Sequence, residues 1–194
     1  MAAFAALQKS YAALVHREGL SANTDVRKVI HVSIASQKLS YYHRGILAAQ
    51  YPVSTAANGP GCRSGSGCTP IGWHAVKTLI GDRQPVATIF RGREVSGVAQ
   101  TLRDDSSDDL ITSRILWLAG LETGVNRCAD VDSYNRYIYI HGTAQEHLIG
   151  QPVSHGCVRL RNRDVIELFD HVSRHTPVYL GELQCLYMPG SSSS

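Results

Sequence analysis

Two residues in this chain carry types and a spacing that chemistry can use: His141 and, sixteen positions later, Cys157 in the run Ser154-His155-Gly156-Cys157. A cysteine attacks a carbonyl only once its proton has somewhere to go, because a free thiol is mostly protonated at neutral pH, and an imidazole is the usual acceptor. The oxyanion that forms then needs backbone amides aimed at it. A turn through His155 and Gly156, where glycine permits unusual dihedrals, can present such amides. The plainer reading of the same residues is a core histidine and a buried, inert thiol.

Placing these groups falls to the elements around them. Phe4, Leu7, Tyr11, Leu14 and Val15 recur at helical spacing, which predicts an amphipathic helix over 3–17. From Lys28 the pattern turns to alternation: Ile30, Val32 and Ile34, then Leu39, Tyr41 and His43, then residues 46–53. Breaks at Ser36-Gln37-Lys38 and Arg44-Gly45 make that a three-stranded antiparallel meander. Residues 56–69, rich in glycine, read as a loop, followed by strands over 73–80, near 86–90, over 115–118 and over 137–140, the last ending at His141. Residues 92–109 are polar, and Asp104, Asp105, Asp108 and Asp109 read as a solvated acidic loop. One helix follows Asn162, taken as its N-cap, with Val165, Ile166, Leu168, Phe169 and Val172 on one face. Residues 177–180 form a closing strand, and 184–194 a mobile tail.

The 194 residues suit one domain, with residues 1–27 as helix and linker and 28–183 as the body. With 43% hydrophobic and 18% charged residues the chain is globular, and no run reaches the roughly 20 apolar residues of a membrane span. A net charge of +3, unclustered, argues against nucleic acid as a partner. No cofactor is expected: the glycine-rich loop lacks the lysine of a P-loop, Pro70 stands where a dinucleotide fingerprint needs its third glycine, and neither GxSxG nor HExxH occurs. Five cysteines leave at least one thiol free, which fits a reducing compartment, although Cys62 and Cys68 could bridge in an oxidising one. The N-terminal run lacks the basic-then-apolar order of a secretory leader, so the expected location is the cytoplasm, or the periplasm if a leader has been removed.

His141-Gly142-Thr143 with Ser154-His155-Gly156-Cys157-Val158-Arg159 resembles the signature of the YkuD-type L,D-transpeptidase family. Tyr51-Pro52-Val53-Ser54-Thr55, Thr69-Pro70-Ile71-Gly72 and Thr176-Pro177-Val178 extend the resemblance over roughly residues 28–181. Two departures are visible: only twelve residues separate His141 from Ser154, and Gly142 stands where many relatives carry serine. The resemblance implies a mainly β fold, a sandwich of mixed sheets with a short N-terminal helix and one helix after the cysteine. It implies Cys157 as nucleophile, His141 as general base, the amides of His155, Gly156 and Cys157 as the oxyanion hole, Gly142 acting through its carbonyl, His155 as a supporting residue and Ser154 holding the loop or touching substrate.

The implied substrate is a peptidoglycan tetrapeptide stem or muropeptide, cut between the L-centre of meso-diaminopimelate and D-alanine through a Cys157 thioester, and a carbapenem is the implied covalent inhibitor. Residues 58–69 and 111–122 are similar to the cytoplasmic L,D-carboxypeptidases of the family, which favours hydrolysis in muropeptide recycling over 3,3-crosslinking of the wall. A terminal carboxylate calls for an arginine fork, with Arg63, Arg114 and Arg159 as candidates. Trp73, His74, Trp117 and Tyr139 are candidates for the pocket wall, or are plain core. Two other classes stand beside the enzyme: a metal module using Cys62, Cys68 and Cys128, whose first spacing is loose for zinc, and a non-catalytic binding protein.

Overall fold

The computed structural model describes residues 2–20, 26–103 and 109–186, the side chains of 185 and 186 excepted. Helix α1 (Ala2–Glu18) is followed by strands β1 (Lys28–Ser33), β2 (Lys38–His43), β3 (Ile46–Pro52), β4 (Gly72–Ile80), β5 (Thr88–Arg91), β6 (Glu94–Val98), β7 (Ile111–Gly120), β8 (Tyr139–Thr143) and β9 (Val158–Leu160). Helix α2 (Asn162–His171) and strand β10 (Pro177–Leu180) close the order. The fold is mainly β, with one helix before the strands and one after the cysteine, as expected.

The strands run β3-β2-β1-β10-β4-β7-β5-β6, and β8 adds to β7 and carries β9 on its far side. The sheet is mixed: β1–β10 and β8–β9 are parallel and the other pairs antiparallel. The meander forms as its alternation requires, with Ile30, Val32, Leu39 and Tyr41 turned into the core. From the other side that core is completed by Val76, Leu116, Leu118, Ile140, Val158 and Leu160, and by Val165, Leu168 and Phe169 of α2. A second cluster holds α1 in place: Phe4, Leu7, Tyr11 and Leu14, spaced one helical turn apart, pack on Val29, Tyr42, Trp73 and Tyr179. Each such buried side chain contributes about 1.5–3 kcal/mol, so α1 is built into the domain rather than appended to it.

Several elements differ from the sequence reading. Residues 94–98 form a strand, because the type I′-like turn at Gly92 (φ 56) and Arg93 (φ 74) folds them back on β5. The strand over 115–118 runs the whole way from Ile111 to Gly120. The strand at 137–140 starts at Tyr139, so His141 lies in the middle of β8 rather than at its end. Asn162 is not the cap of α2. Arg161 occupies that position without a side-chain bond, and Asn162 is fully buried as the first helical residue. Its carboxamide accepts from the Thr112 and Ser113 hydroxyls (2.7 and 2.5 Å) and donates to the Thr143 carbonyl and Glu146 (2.8 and 2.7 Å). A buried amide with both oxygen lone pairs and both protons engaged ties β7, β8 and α2 together. Asp104, Asp105, Asp108 and the tail beyond 186 lie outside the described residues. No described helix is long and apolar enough to cross a membrane.

Candidate active site

Parallel pairing of β8 with β9 puts His141 opposite Arg159. Since side chains alternate along a strand, Tyr139, His141 and Arg159 project from one face, and Cys157 immediately precedes β9. The amide of Tyr139 donates to Cys157 Sγ at 3.3 Å, and the thiol in turn points at the Tyr137 carbonyl at 3.4 Å. Cys157 packs against the apolar cluster of Phe90, Ile115 and Tyr139, on which Trp117 also packs. This apolar setting pushes the Cys157 thiol up to about 12; Asp109 adds to the shift, while the Tyr139 amide, Arg159 and Arg136 oppose it. Burial likewise lowers His141, against the opposing pull of Asp109 and of the Gly142 carbonyl. Both groups are therefore neutral at rest, a thiol beside an imidazole rather than a thiolate–imidazolium pair.

The tautomer of His141 follows from one bond. Nδ1 lies 2.7 Å from the carbonyl oxygen of Gly142, which only accepts, so Nδ1 carries the proton and Nε2 keeps its lone pair. Gly142 is fixed by space as well. A Cβ there would stand 2.7 Å from the Thr112 carbonyl and 2.8 Å from Asn162 Oδ1, so the buried amide hub also seats the carbonyl that orients the His141 ring.

The turn before the cysteine is held from within. Ser154, 2% exposed, donates to the Cys157 carbonyl at 2.6 Å and accepts from the Gly156 amide at 3.2 Å. That engages one of the three amides expected to bind the oxyanion; those of His155 and Cys157 have no partner among the described residues. Gly156 sits at φ +136, and a Cβ there would meet the Cys68 carbonyl at 3.2 Å. The glycine therefore lets the loop of residues 58–69 lie against the turn that leads into Cys157. Arg136 fastens that loop, donating to the carbonyls of Gly61, Cys62 and Cys68 at 3.2, 2.8 and 2.7 Å. Cys62, Cys68, Cys128 and Cys157 are all free thiols.

Several expected substrate contacts are engaged elsewhere. Arg159 is 2% exposed, ion-paired with Asp109 and bonded to Gln145 at 3.1 Å, which makes it a brace of the catalytic face rather than a free fork. Arg114 donates to the carbonyls of Gln84 and Ser113 (2.9 and 2.7 Å) and lies over Phe169. Trp73 belongs to the cluster under α1, its indole donating to Ser10 at 3.0 Å, and so does not wall this site. His74 is fully buried between the Gly72 carbonyl and Ser133, a core histidine lowered by burial to about 4. Arg63 is exposed on the loop. His155 extends into solvent, its side chain 82% exposed, with Nδ1 3.6 Å from Asp109. Tyr139 does stand beside Cys157, its amide on the sulfur, and Trp117 packs on the same apolar cluster as Cys157.

Three residues near the sulfur escaped the sequence reading. Asp109 was hidden in an acidic run, yet it pairs with Arg159 and His155 and acts on both catalytic groups. Arg136 and Arg93 carry no motif. Arg93 stacks 5.1 Å over both Trp117 and Tyr137, and no spacing in the sequence announces that meeting.

Set against known proteins, residues 27–180 match the family model for the L,D-transpeptidase catalytic domain, YkuD. A stretch of 45 residues is 51% identical to the probable L,D-transpeptidase ErfK/SrfK of Salmonella typhimurium, covering 23% of this chain and 15% of that protein. Among solved structures, an L,D-transpeptidase from Mycobacterium smegmatis superposes with a TM-score of 0.51 at 15% identity, over 80% of this chain and 59% of the other. L,D-transpeptidase 3 from Mycobacterium tuberculosis, solved with a faropenem-derived adduct, gives 0.51 at 16% identity, over 80% and 60%. The chain thus spans about three-fifths of the length of these solved relatives and a smaller part of the curated one.

Proposed function

The chain belongs to the L,D-transpeptidase catalytic-domain family, and from that premise we propose that it cleaves the bond between the L-centre of meso-diaminopimelate and D-alanine in peptidoglycan tetrapeptide stems. The observation that carries this reading is the aligned base: Nδ1–H of His141 on the Gly142 carbonyl leaves Nε2 free on β8, whose parallel partner β9 begins directly after Cys157. As the sulfur attacks the carbonyl carbon, the thiol proton leaves the Tyr137 carbonyl and passes to Nε2, so a thiolate need not exist beforehand. The oxyanion is received by the amides of His155 and Cys157. Collapse breaks the C–N bond, His141 returns the proton to the departing amine, and D-alanine leaves a Cys157 thioester.

Water then resolves the thioester in this reading. His141 takes a proton from the water as its oxygen adds, the C–S bond breaks, His141 returns that proton to the departing Cys157 sulfur, and the tripeptide leaves as a carboxylate with its acid proton lost to solvent. Support for hydrolysis comes from the loop of residues 58–69, similar to that of the family's L,D-carboxypeptidases and fastened by Arg136 against the nucleophile's turn. Free thiols at Cys62, Cys68 and Cys128 fit a reducing compartment, in keeping with a cytoplasmic enzyme acting on muropeptides. A carbapenem is the expected covalent inhibitor, by analogy with the adduct that a related β-lactam, the penem faropenem, leaves on the Mycobacterium tuberculosis relative. Incubation with a disaccharide-tetrapeptide, followed by mass analysis, tests the reading. Tripeptide and free D-alanine are expected. A 3,3-linked dimer outpacing tripeptide would restore crosslinking, and no cleavage of the L,D-bond would overturn the assignment.

A further inference from the structure

A substrate ending in a carboxylate needs a cation with free donors beside the nucleophile, and the three arginines expected to serve are braced elsewhere or exposed on a loop. A fourth is placed for it. Arg93 stands at the tip of the β5–β6 hairpin, whose two turn residues, Gly92 and Arg93, both have positive φ. Glycine is the residue such a turn favours at its second position, so an arginine held at φ 74 is an unfavourable choice on backbone grounds alone.

The side chain is posed. Its guanidinium lies 5.1 Å from the ring centres of both Trp117 and Tyr137, and one of its nitrogens is 3.5 Å from the Tyr139 hydroxyl. Trp117 is itself held by stacking on Tyr134 at 4.0 Å. A guanidinium over aromatic rings gains cation–π attraction without using its N–H donors, and Tyr139 takes only one of them. No carboxylate among the described residues pairs with it. The platform is tied to the sulfur through the main chain, since the backbone amide of Tyr139 and the backbone carbonyl of Tyr137 are the two groups bonded to Cys157 Sγ.

We propose that Arg93, stacked on the Trp117–Tyr137 platform beside Cys157, is the specificity residue that binds a substrate carboxylate flanking the scissile bond. The stem offers two: the terminal carboxylate of the departing D-alanine and the free carboxylate at the D-centre of diaminopimelate. Arginine's fork matches either as a bidentate pair, and stacking fixes its direction before substrate arrives. This inference rests on the proposed hydrolysis of tetrapeptide stems.

The test compares wild type, Arg93→Gln and Arg93→Lys on three substrates: the tetrapeptide muropeptide, the same stem with its terminal carboxylate amidated, and the stem amidated instead on diaminopimelate. On the unmodified stem, Arg93→Gln should lose about 10- to 100-fold in kcat/KM, and Arg93→Lys less, since charge remains without the fork. Amidating the recognised carboxylate should erase that difference between variant and wild type, while amidating the other should leave it intact, so the two arms identify the group. A penalty equal on all three substrates, or none on any, would overturn the role of Arg93 while leaving hydrolysis standing. Wild type failing on the unmodified stem would instead bring down the proposed function, and this inference with it.

Discussion

The most exposed part of the mechanism is the claim that Cys157 rests as a neutral thiol, and alkylation probes it without any substrate. With the thiol pushed up to about 12 by its apolar surroundings, about one molecule in 10⁵ carries thiolate at pH 7. An ordinary cysteine of pKa near 8.5 carries roughly three in a hundred. Iodoacetamide reacts with the thiolate, so Cys157 should be modified on the order of a thousandfold more slowly than the exposed Cys128. Peptide mapping after timed quenching separates the two sites. The Cys157 rate should climb about tenfold per pH unit across pH 7–9, and His141→Ala should barely change it, because no ion pair is being broken. Cys157 labelling at pH 7 as fast as Cys128, or a collapse of its rate in His141→Ala, would refute the neutral pair and put a thiolate–imidazolium pair in its place.

In turnover, His141→Ala should cost about 10²–10⁴-fold in kcat and His155→Ala far less, since one ring carries the proton and the other stands in solvent beside Asp109; stopped assays on both folded variants check the order, and the reverse order would exchange their roles. The wild-type pH profile should fall only below the ordinary histidine range of about 6.5, because burial lowers His141, and a limb centred above that would contradict its assignment. His74, lowered to about 4 by burial, is neutral in the fold, so the unfolded chain binds the extra proton and stability drops as pH falls from 6.5 through 4, by about 3 kcal/mol. Urea midpoints at pH 7.5 and 4 read this, and a His74→Gln variant with the same acid sensitivity would refute it. Trp73→Ala should destabilise by about 3–5 kcal/mol through the cavity under α1 without a selective rise in KM, and a KM effect without lost stability would return Trp73 to the site.

What the sequence makes legible is what local pattern controls. The spacing of Phe4, Leu7, Tyr11 and Leu14 is a helix face wherever it occurs, and the alternation through Ile30, Leu39 and Tyr41 is a meander because each strand must bury one side. The histidine and cysteine were visible because few residue types do that chemistry. Polar residues in the interior were misplaced, since their roles depend on distant partners. Asn162 looks like a cap until Thr112, Ser113, Thr143 and Glu146 converge on it. Asp109 looks solvated until Arg159 meets it. Trp73 and Trp117 are alike as letters, and only strand register sends one beneath α1 and the other onto the apolar cluster that Cys157 packs against. Strand β6 escaped notice because its side chains are largely exposed and carry no apolar alternation.

The central claim is that Cys157 becomes acylated by the stem, and intact-mass measurement of the enzyme quenched during tetrapeptide turnover addresses it most directly. The account predicts a transient mass gain equal to the tetrapeptide substrate minus free D-alanine, mapped to the peptide containing Cys157 and lost in Cys157→Ala together with all tripeptide release. Tripeptide still released by a folded Cys157→Ala variant, or the acyl group found on Cys62, Cys68 or Cys128, would contradict it.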